Sequence, residues 1–154
     1  MQGKFLTYVN WALICLVSIV FLQSLFFKFQ GHEETEIIFS TIGDWMTTTV
    51  LFAWLAPTFK TIGGYIVGSM EVIAVIMLWL SRYRFYGAIL GFVIMSSAIF
   101  FHLGTPLGVD RVINTAGDTD GGALFYMACI VWVSCALIFI FSSKMLPAAL
   151  SENN

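Results

Sequence analysis

Four long apolar runs divide this chain, and each of them is long enough to cross a membrane. They cover residues 8–27, 62–80, 87–103 and 123–141. A helix that crosses the hydrocarbon core needs ~17–25 predominantly apolar residues. The pattern therefore predicts an all-α fold, a transmembrane four-helix bundle. Because the spans are joined by connections and not by soluble domains, we expect a single membrane domain over residues 1–154.

The connection between the first and second spans, residues 28–61, differs from the other connections. Its first part is acidic and polar, and an apolar stretch near its end is too short to span a membrane. Trp45 and Trp54 suit the headgroup boundary, where indole rings are enriched. We therefore predict a short interfacial helix between the first and second spans. A re-entrant segment is the alternative interpretation.

Small residues and one carboxylate share a face of the second span. Two Gly-x-x-x-Gly pairs lie in the second and third spans: Gly64 with Gly68, and Gly87 with Gly91. Such pairs let a neighbouring helix approach closely, so we expect these four glycines to pack helices together. Glu71 follows the first pair at helical spacing, and His102 continues the second. Both side chains are therefore predicted to face the interior of the bundle.

Composition supports a membrane protein and excludes several classes of function. The chain is 59% hydrophobic and 10% charged, whereas soluble domains have ~45–50% apolar and ~25% charged residues. With a net charge of -2 it has no basic face that could neutralise nucleic-acid phosphates. A zinc-ligand set, a Cys-x-x-Cys pair and a glycine-rich phosphate loop are absent from the sequence. The stretch 118–121 resembles a fragment of a calcium loop but lacks its later ligands, so no metal is expected.

The basic residues set the expected orientation. Positive residues in short loops mark the cytoplasmic side, and the shortest connection contains Arg82 and Arg84. Both termini and this turn are therefore predicted to be cytoplasmic. Glu71 then lies about 14 Å below the outer end of its span at ~1.5 Å per residue. Lys28, which closes the first span, and His102 would lie with Glu71 in the outer half of the bundle.

A carboxylate at that depth must be paired, hydrated or protonated, because an isolated charge is costly in a medium of low dielectric constant. We predict an outward-facing polar cavity in which Lys28, Glu71 and His102 bind a ligand or exchange protons with it. A quinone, a lipid head group or a small substrate would suit such a cavity. The alternative is structural: Lys28 and Glu71 would form an ion pair that holds the bundle together, and His102 would hydrogen-bond to a loop.

The order of several motifs resembles the DoxX-like family of small four-helix integral membrane proteins. The motifs are Phe-Lys-Phe at 27–29, Phe-Ser-Thr-Ile-Gly at 39–43, Gly-Ser-Met-Glu at 68–71, and the stripe from Gly91 to His102. This resemblance implies a four-helix bundle. It also implies an association with redox systems, because DoxX-type subunits are linked with quinol oxidase, thiosulfate:quinone oxidoreductase and thiol-stress complexes.

We therefore expect a redox-associated subunit of the bacterial inner membrane. A non-catalytic subunit is expected in preference to a stand-alone enzyme. It would bind a quinone, a lipid or a small substrate, or anchor a catalytic partner. Quinone is the one candidate cofactor. The expected partners are membrane lipid, a membrane or peripheral redox protein and a second copy of the chain, but not nucleic acid. The alternatives are a proton- or cation-coupled transporter or channel component that uses Glu71, and a membrane assembly factor.

Overall fold

The structure is a computed structural model that describes residues 2–151, with the side chains of residues 4–143. Its five helices are α1 (Gln2–Phe29), α2 (Glu33–Thr48), α3 (Ala56–Trp79), α4 (Arg84–Gly104) and α5 (Ala123–Ser151). Four of them, α1, α3, α4 and α5, are long and apolar enough to cross a membrane. They pack against one another, so the predicted all-α four-helix bundle is confirmed and the chain has the character of an integral membrane protein.

Two helix starts differ from the sequence prediction. Helix α3 begins at Ala56 and not near residue 62, because Pro57 lies in its first turn, where a backbone N–H is not needed. Glu71 is therefore about 22 Å from the start of α3 at ~1.5 Å per residue, further than the predicted 14 Å or so from the start of its span. Helix α4 begins at Arg84, which places this arginine inside a helix and not in the predicted turn.

Helix α2 confirms the helix that was predicted between the first and second spans. Three glutamates in its first turn complement the partial positive charge of a helix N-terminus. The helix packs along the first half of α3, and its residues Ile42 and Met46 join Ala56 and Leu107 in a small separate core. The position of α2 relative to a membrane stays a prediction. We call the end of the bundle that carries α2 and the 105–122 loop the α2 end.

The main core lies between the four long helices, with α4 against α3 and α5, and α1 against α3 and α5. Its fully buried members come from all four helices: Ile14, Val17, Ala74, Leu78, Ala88, Val131, Cys135 and Ile138. Lipid tails are as apolar as these side chains, so close packing holds such helices together more than hydrophobic burial does. Small residues at the contacts are therefore important for this fold.

The four predicted packing glycines all lie at helix contacts. A Cβ atom at each would meet a neighbouring element: at Gly64 it meets Thr35, at Gly68 Phe29, at Gly87 Leu78, and at Gly91 Cys135. The contact at Gly87 is the least forgiving of the four. A Cβ there would lie 2.8 Å from the backbone nitrogen of Leu78 and 3.0 Å from the carbonyl oxygen of Ala74. Backbone atoms cannot turn aside as a side chain can, so α3 and α4 approach closely only because residue 87 is glycine.

We predict that Gly87→Ala destabilises the bundle by about 1–3 kcal/mol, the usual cost of overpacking. The measurement is the free energy of unfolding in detergent. Gly64→Ala is the matched control, since its Cβ would meet the methyl group of Thr35 at 3.2 Å and not a backbone atom. An equal loss of stability in the two variants would contradict the backbone contact as the cause.

Candidate functional site

A buried ion pair joins the first two membrane-spanning helices. Lys28, in the last turn of α1, places its Nζ 2.6 Å from Oε1 and 2.7 Å from Oε2 of Glu71 in α3. Ser24 lies one turn before Lys28 on the same face of α1. Its hydroxyl accepts a hydrogen bond from Nζ at 2.6 Å and donates one to Oε2 of Glu71 at 3.0 Å. The predicted pairing of Lys28 with Glu71 is therefore present, with Ser24 as a third member.

The two members of the ion pair differ in exposure: Glu71 is buried and Lys28 is partly exposed. The side chain of Glu71 is 2% exposed, whereas that of Lys28 is 17% exposed. Gly68, one turn before Glu71, faces the side chains of Leu25 and Phe29, so its lack of a side chain lets α1 lie close to α3 here. A buried charge is tolerated when it is paired and its remaining polar atoms are hydrogen-bonded. This arrangement meets that requirement without a ligand.

His102 lies apart from the pair. Its Nδ1 is 2.7 Å from the carbonyl oxygen of Gly108, and its ring contacts Phe125 at 5.7 Å between ring centroids. Among the described residues, no hydrogen bond or ion pair joins it to Lys28 or Glu71. The expected gathering of three ionisable groups is therefore not formed, because the chain that follows α4 folds back and supplies a carbonyl partner. The hydrogen bond to a loop is the arrangement that the structural alternative predicts for His102.

Two open apolar grooves lie elsewhere on the surface of the bundle. One, of about 440 Å³, is at the α2 end, and its lining includes Trp45, Phe52, Phe59, Phe100 and Phe101. The other, of about 500 Å³, runs along α3, and its lining includes Ile62, Tyr65, Ile66 and Ile73. Lys28, Glu71 and His102 line neither of them. The polar cavity that the sequence predicts therefore does not coincide with either of these spaces.

A second charged cluster, which the sequence reasoning missed, ties the 105–122 loop to α2. Arg111 in this loop is 1% exposed, and its guanidinium pairs with Glu34 in the first turn of α2. Its Nε is 3.4 Å from Oδ2 of Asp120. The backbone nitrogen of Thr115 also donates to Oε1 of Glu33 at 2.7 Å. The available signal was a single arginine in a loop that is otherwise acidic and rich in glycine.

Asp120 organises the end of this loop and the start of α5. Its carboxylate accepts hydrogen bonds from the backbone nitrogens of Gly122 at 2.9 Å, Leu124 at 3.2 Å and Arg111 at 3.4 Å. Burial raises the pKa of this carboxyl, but the backbone donors of Leu124 and Gly122 and the charge of Arg111 outweigh burial. The net result is a pKa below the ordinary value, so Asp120 stays ionised and holds the loop.

Comparison of the chain with protein-family models, with curated proteins and with solved structures found no match. The resemblance to the DoxX-like family thus stays a prediction from the order of the motifs.

We predict that Lys28→Met lowers the free energy of unfolding by about 3–5 kcal/mol, because it leaves the carboxylate of Glu71 buried without a counter-charge. The double variant K28M/E71M removes both charges at similar volume and is expected to recover most of that loss. Unfolding in detergent at pH 7 measures both effects. Lys60→Met is the control, since its ion pair with Asp44 is exposed and worth ~0–1 kcal/mol. Equal losses for K28M and K60M would contradict the importance of burial.

The lowered pKa of Asp120 makes part of the stability of the folded state depend on pH in the acid range. A carboxyl with a lower pKa in the folded state stabilises the fold above its ordinary pKa of ~3.9, and this stabilisation is lost as the pH falls through the folded-state pKa. We predict that Asp120→Asn lowers the unfolding temperature at pH 7 and weakens its fall between about pH 5 and pH 3. Thermal unfolding over that range is the measurement. A D120N curve parallel to that of the wild type would overturn the assignment.

Proposed function

We propose that this chain is a non-catalytic, redox-associated integral membrane subunit that binds a quinone at the Lys28–Glu71 pair. The observation that carries the proposal is a buried carboxylate whose partner ammonium is partly exposed. The two groups suit the two redox forms of such a ligand. An ammonium donates hydrogen bonds to the carbonyl oxygens of a quinone, and a carboxylate accepts them from the hydroxyls of a quinol.

The geometry of the pair supports ligand entry at Lys28. Its side chain is long and unbranched, so Nζ can turn outward without a movement of α1. Ser24 then continues to donate to Oε2 of Glu71, which keeps one hydrogen bond on the carboxylate during the exchange. His102 is not part of this proposed site, because its Nδ1 is already bonded to the loop.

The redox association and the cellular location rest on the sequence. The motif order resembles DoxX-like proteins, which are linked with quinone-dependent complexes, and this supports both the quinone and the anchoring of a catalytic partner. The short basic turn that contains Arg82 supports cytoplasmic termini under the positive-inside rule. We therefore place the chain in the bacterial inner membrane, with the α2 end outside.

A proton or cation pathway through the bundle is less well supported. From Glu71 toward the opposite end of α3, the next buried positions are Ala74, Val75 and Leu78, all apolar. The facing part of α1 buries Val17 and Phe21, and its buried Ser18 is already hydrogen-bonded to Ile14 and Trp79. Ions and protons need polar groups or water along their path, and intramembrane pathways are typically lined by such groups. The apolar segment below Glu71 favours a binding site that is reached from one end only.

Quinone binding by the purified full-length chain tests this proposal. A short-chain quinone is titrated while tryptophan fluorescence is followed, and quinone that co-purifies is quantified separately. We expect saturable binding by the wild-type protein and a loss of about tenfold or more in affinity for K28M/E71M, since bonds to charged groups contribute ~1.5–3 kcal/mol each. The matched control is K60M/D44N, which removes the exposed ion pair and should bind as the wild type does.

The double variant keeps the test independent of stability, because replacing both buried charges by apolar groups of similar size is often neutral or stabilising. Wild-type quinone affinity in a folded K28M/E71M protein would show that the pair is structural and would overturn the proposal. Absence of quinone binding by the wild-type chain would overturn it equally.

A further inference from the structure

Three buried polar groups lie at the end of the bundle opposite α2. Asn10, Arg84 and Ser142 are 1%, 8% and 6% exposed. Among the described residues, Oδ1 of Asn10, Nη2 of Arg84 and Oγ of Ser142 have no hydrogen-bond partner. Arg84 donates through Nε to the carbonyl oxygen of Leu78 at 2.9 Å. It forms no ion pair with any carboxylate among the side chains of residues 4–143.

Each of these three residues ends an inward-facing stripe of its helix. The positions one and two turns further into the bundle are all buried: Ile14 and Val17 in α1, Ala88 and Gly91 in α4, and Ile138 and Cys135 in α5. Side chains at this spacing share one face of a helix. Asn10, Arg84 and Ser142 therefore point toward the axis around which the main core is packed.

Two of the three residues also lie at one height. A Cβ atom at Gly91 would lie 2.8 Å from Sγ of Cys135, so these two positions are level where α4 meets α5. Arg84 and Ser142 each lie two helical turns, about 10 Å, from that level in the direction of the same end. The guanidinium of Arg84 and the hydroxyl of Ser142 thus occupy the same layer of the bundle.

Asn10 extends this layer by about one helical turn. The same Cβ atom at Gly91 would lie 3.5 Å from the ring of Phe21, which relates α1 to the other two helices. Asn10 lies three turns from Phe21 toward the end of the bundle opposite α2, about 6 Å beyond the layer of Arg84. The guanidinium carbon of Arg84 lies 4.6 Å from the ring centroid of Trp11, the residue after Asn10, so Arg84 reaches this turn of α1. We call these three residues the Arg84 cluster.

The chemistry of the Arg84 cluster calls for an anion. A guanidinium is always charged, and a buried charge without a counter-ion is costly. Its planar fork matches the oxygens of a phosphate, and the hydroxyl of Ser142 can donate to a further oxygen. Oδ1 of Asn10 needs a donor, which a phosphate ester with a free hydroxyl supplies. Arg84 is also the first residue of a helix that is long and apolar enough to cross a membrane, and the ends of such helices lie near the lipid head groups.

We propose that the Arg84 cluster binds the head group of an anionic phospholipid of the phosphoglycerol class. The phosphate would accept hydrogen bonds from Arg84 and Ser142, and a glycerol hydroxyl would donate to Asn10. The exposed side chains of Arg82 and Lys4, near the same end, add positive charge that attracts anionic lipid. This site shares no residue with the proposed quinone site and does not depend on it.

Lipid retention by the full-length chain tests this inference. The protein is delipidated in detergent and titrated with phosphatidylglycerol, with phosphatidylcholine of the same acyl chains, and with inorganic phosphate. Native mass spectrometry counts the bound lipid, and thermal unfolding reports stabilisation. We expect the wild type to retain phosphatidylglycerol over phosphatidylcholine, and Arg84→Met to weaken this binding about tenfold or more. Arg82→Met, two residues away and exposed, should retain phosphatidylglycerol as the wild type does.

Further variants keep the test decisive if R84M does not fold. Ser142→Ala should weaken retention less than R84M, and Arg84→Lys should be intermediate because it keeps the charge and loses the fork. Wild-type retention in a folded R84M protein, or in both S142A and R84K, would overturn the proposal. If inorganic phosphate stabilised the protein as much as phosphatidylglycerol does, the proposed lipid ligand would be wrong and the site would bind a free anion. Glu152 lies outside the described residues, and Glu152→Gln should have no effect. If E152Q lowered stability as R84M does, without any dependence on lipid, the counter-ion of Arg84 would be the carboxylate of Glu152 and the proposal would be overturned.

Discussion

The cost of placing a polar group in hydrocarbon governs this structure more than any other constraint. Backbone groups meet it by forming helices, which leave no unpaired N–H within a span. Charged side chains meet it by pairing. Lys28 and Glu71 neutralise each other between α1 and α3, and Arg111 is neutralised by two acids where the 105–122 loop meets α2. These charges are therefore held in closed groups. Arg84, which has no ion pair among the described side chains, is the exception.

Close helix packing is what allows these charges to meet. In lipid there is little hydrophobic drive between helices, so contact depends on how near two backbones can come. Gly68 lets α1 lie against α3 one turn from Glu71, and this brings Lys28 within hydrogen-bond distance. Gly87 and Gly91 do the same for α4, the first toward α3 and the second toward α5. The glycines thus fix the geometry of the polar groups as well as that of the core.

The features that repeat along the sequence were the predictable ones. Apolar runs near the length of a membrane span predicted the four helices. Glu71 on a glycine stripe and Lys28 at the end of the first span predicted the Lys28–Glu71 pair. The burial of Arg111 and Arg84 was not predicted in this way, and neither was the carbonyl group of Gly108 as the particular loop partner of His102. The burial of Arg111 and the partner of His102 depend on where the 105–122 loop folds back, and no local pattern specifies that. Arg84 was also assigned to a turn, because the sequence does not show that α4 starts before its apolar run.

The two proposed sites differ in what a ligand must displace. At the Lys28–Glu71 pair, the ammonium already donates to Ser24 and to both carboxylate oxygens. A ligand there competes with a satisfied ion pair, and its affinity is reduced by the free energy of the bonds that it replaces. In the Arg84 cluster no described carboxylate competes for the guanidinium, so an anion displaces no ion pair there. The first arrangement suits a ligand that exchanges, as a quinone must, and the second suits a lipid that stays as part of the structure.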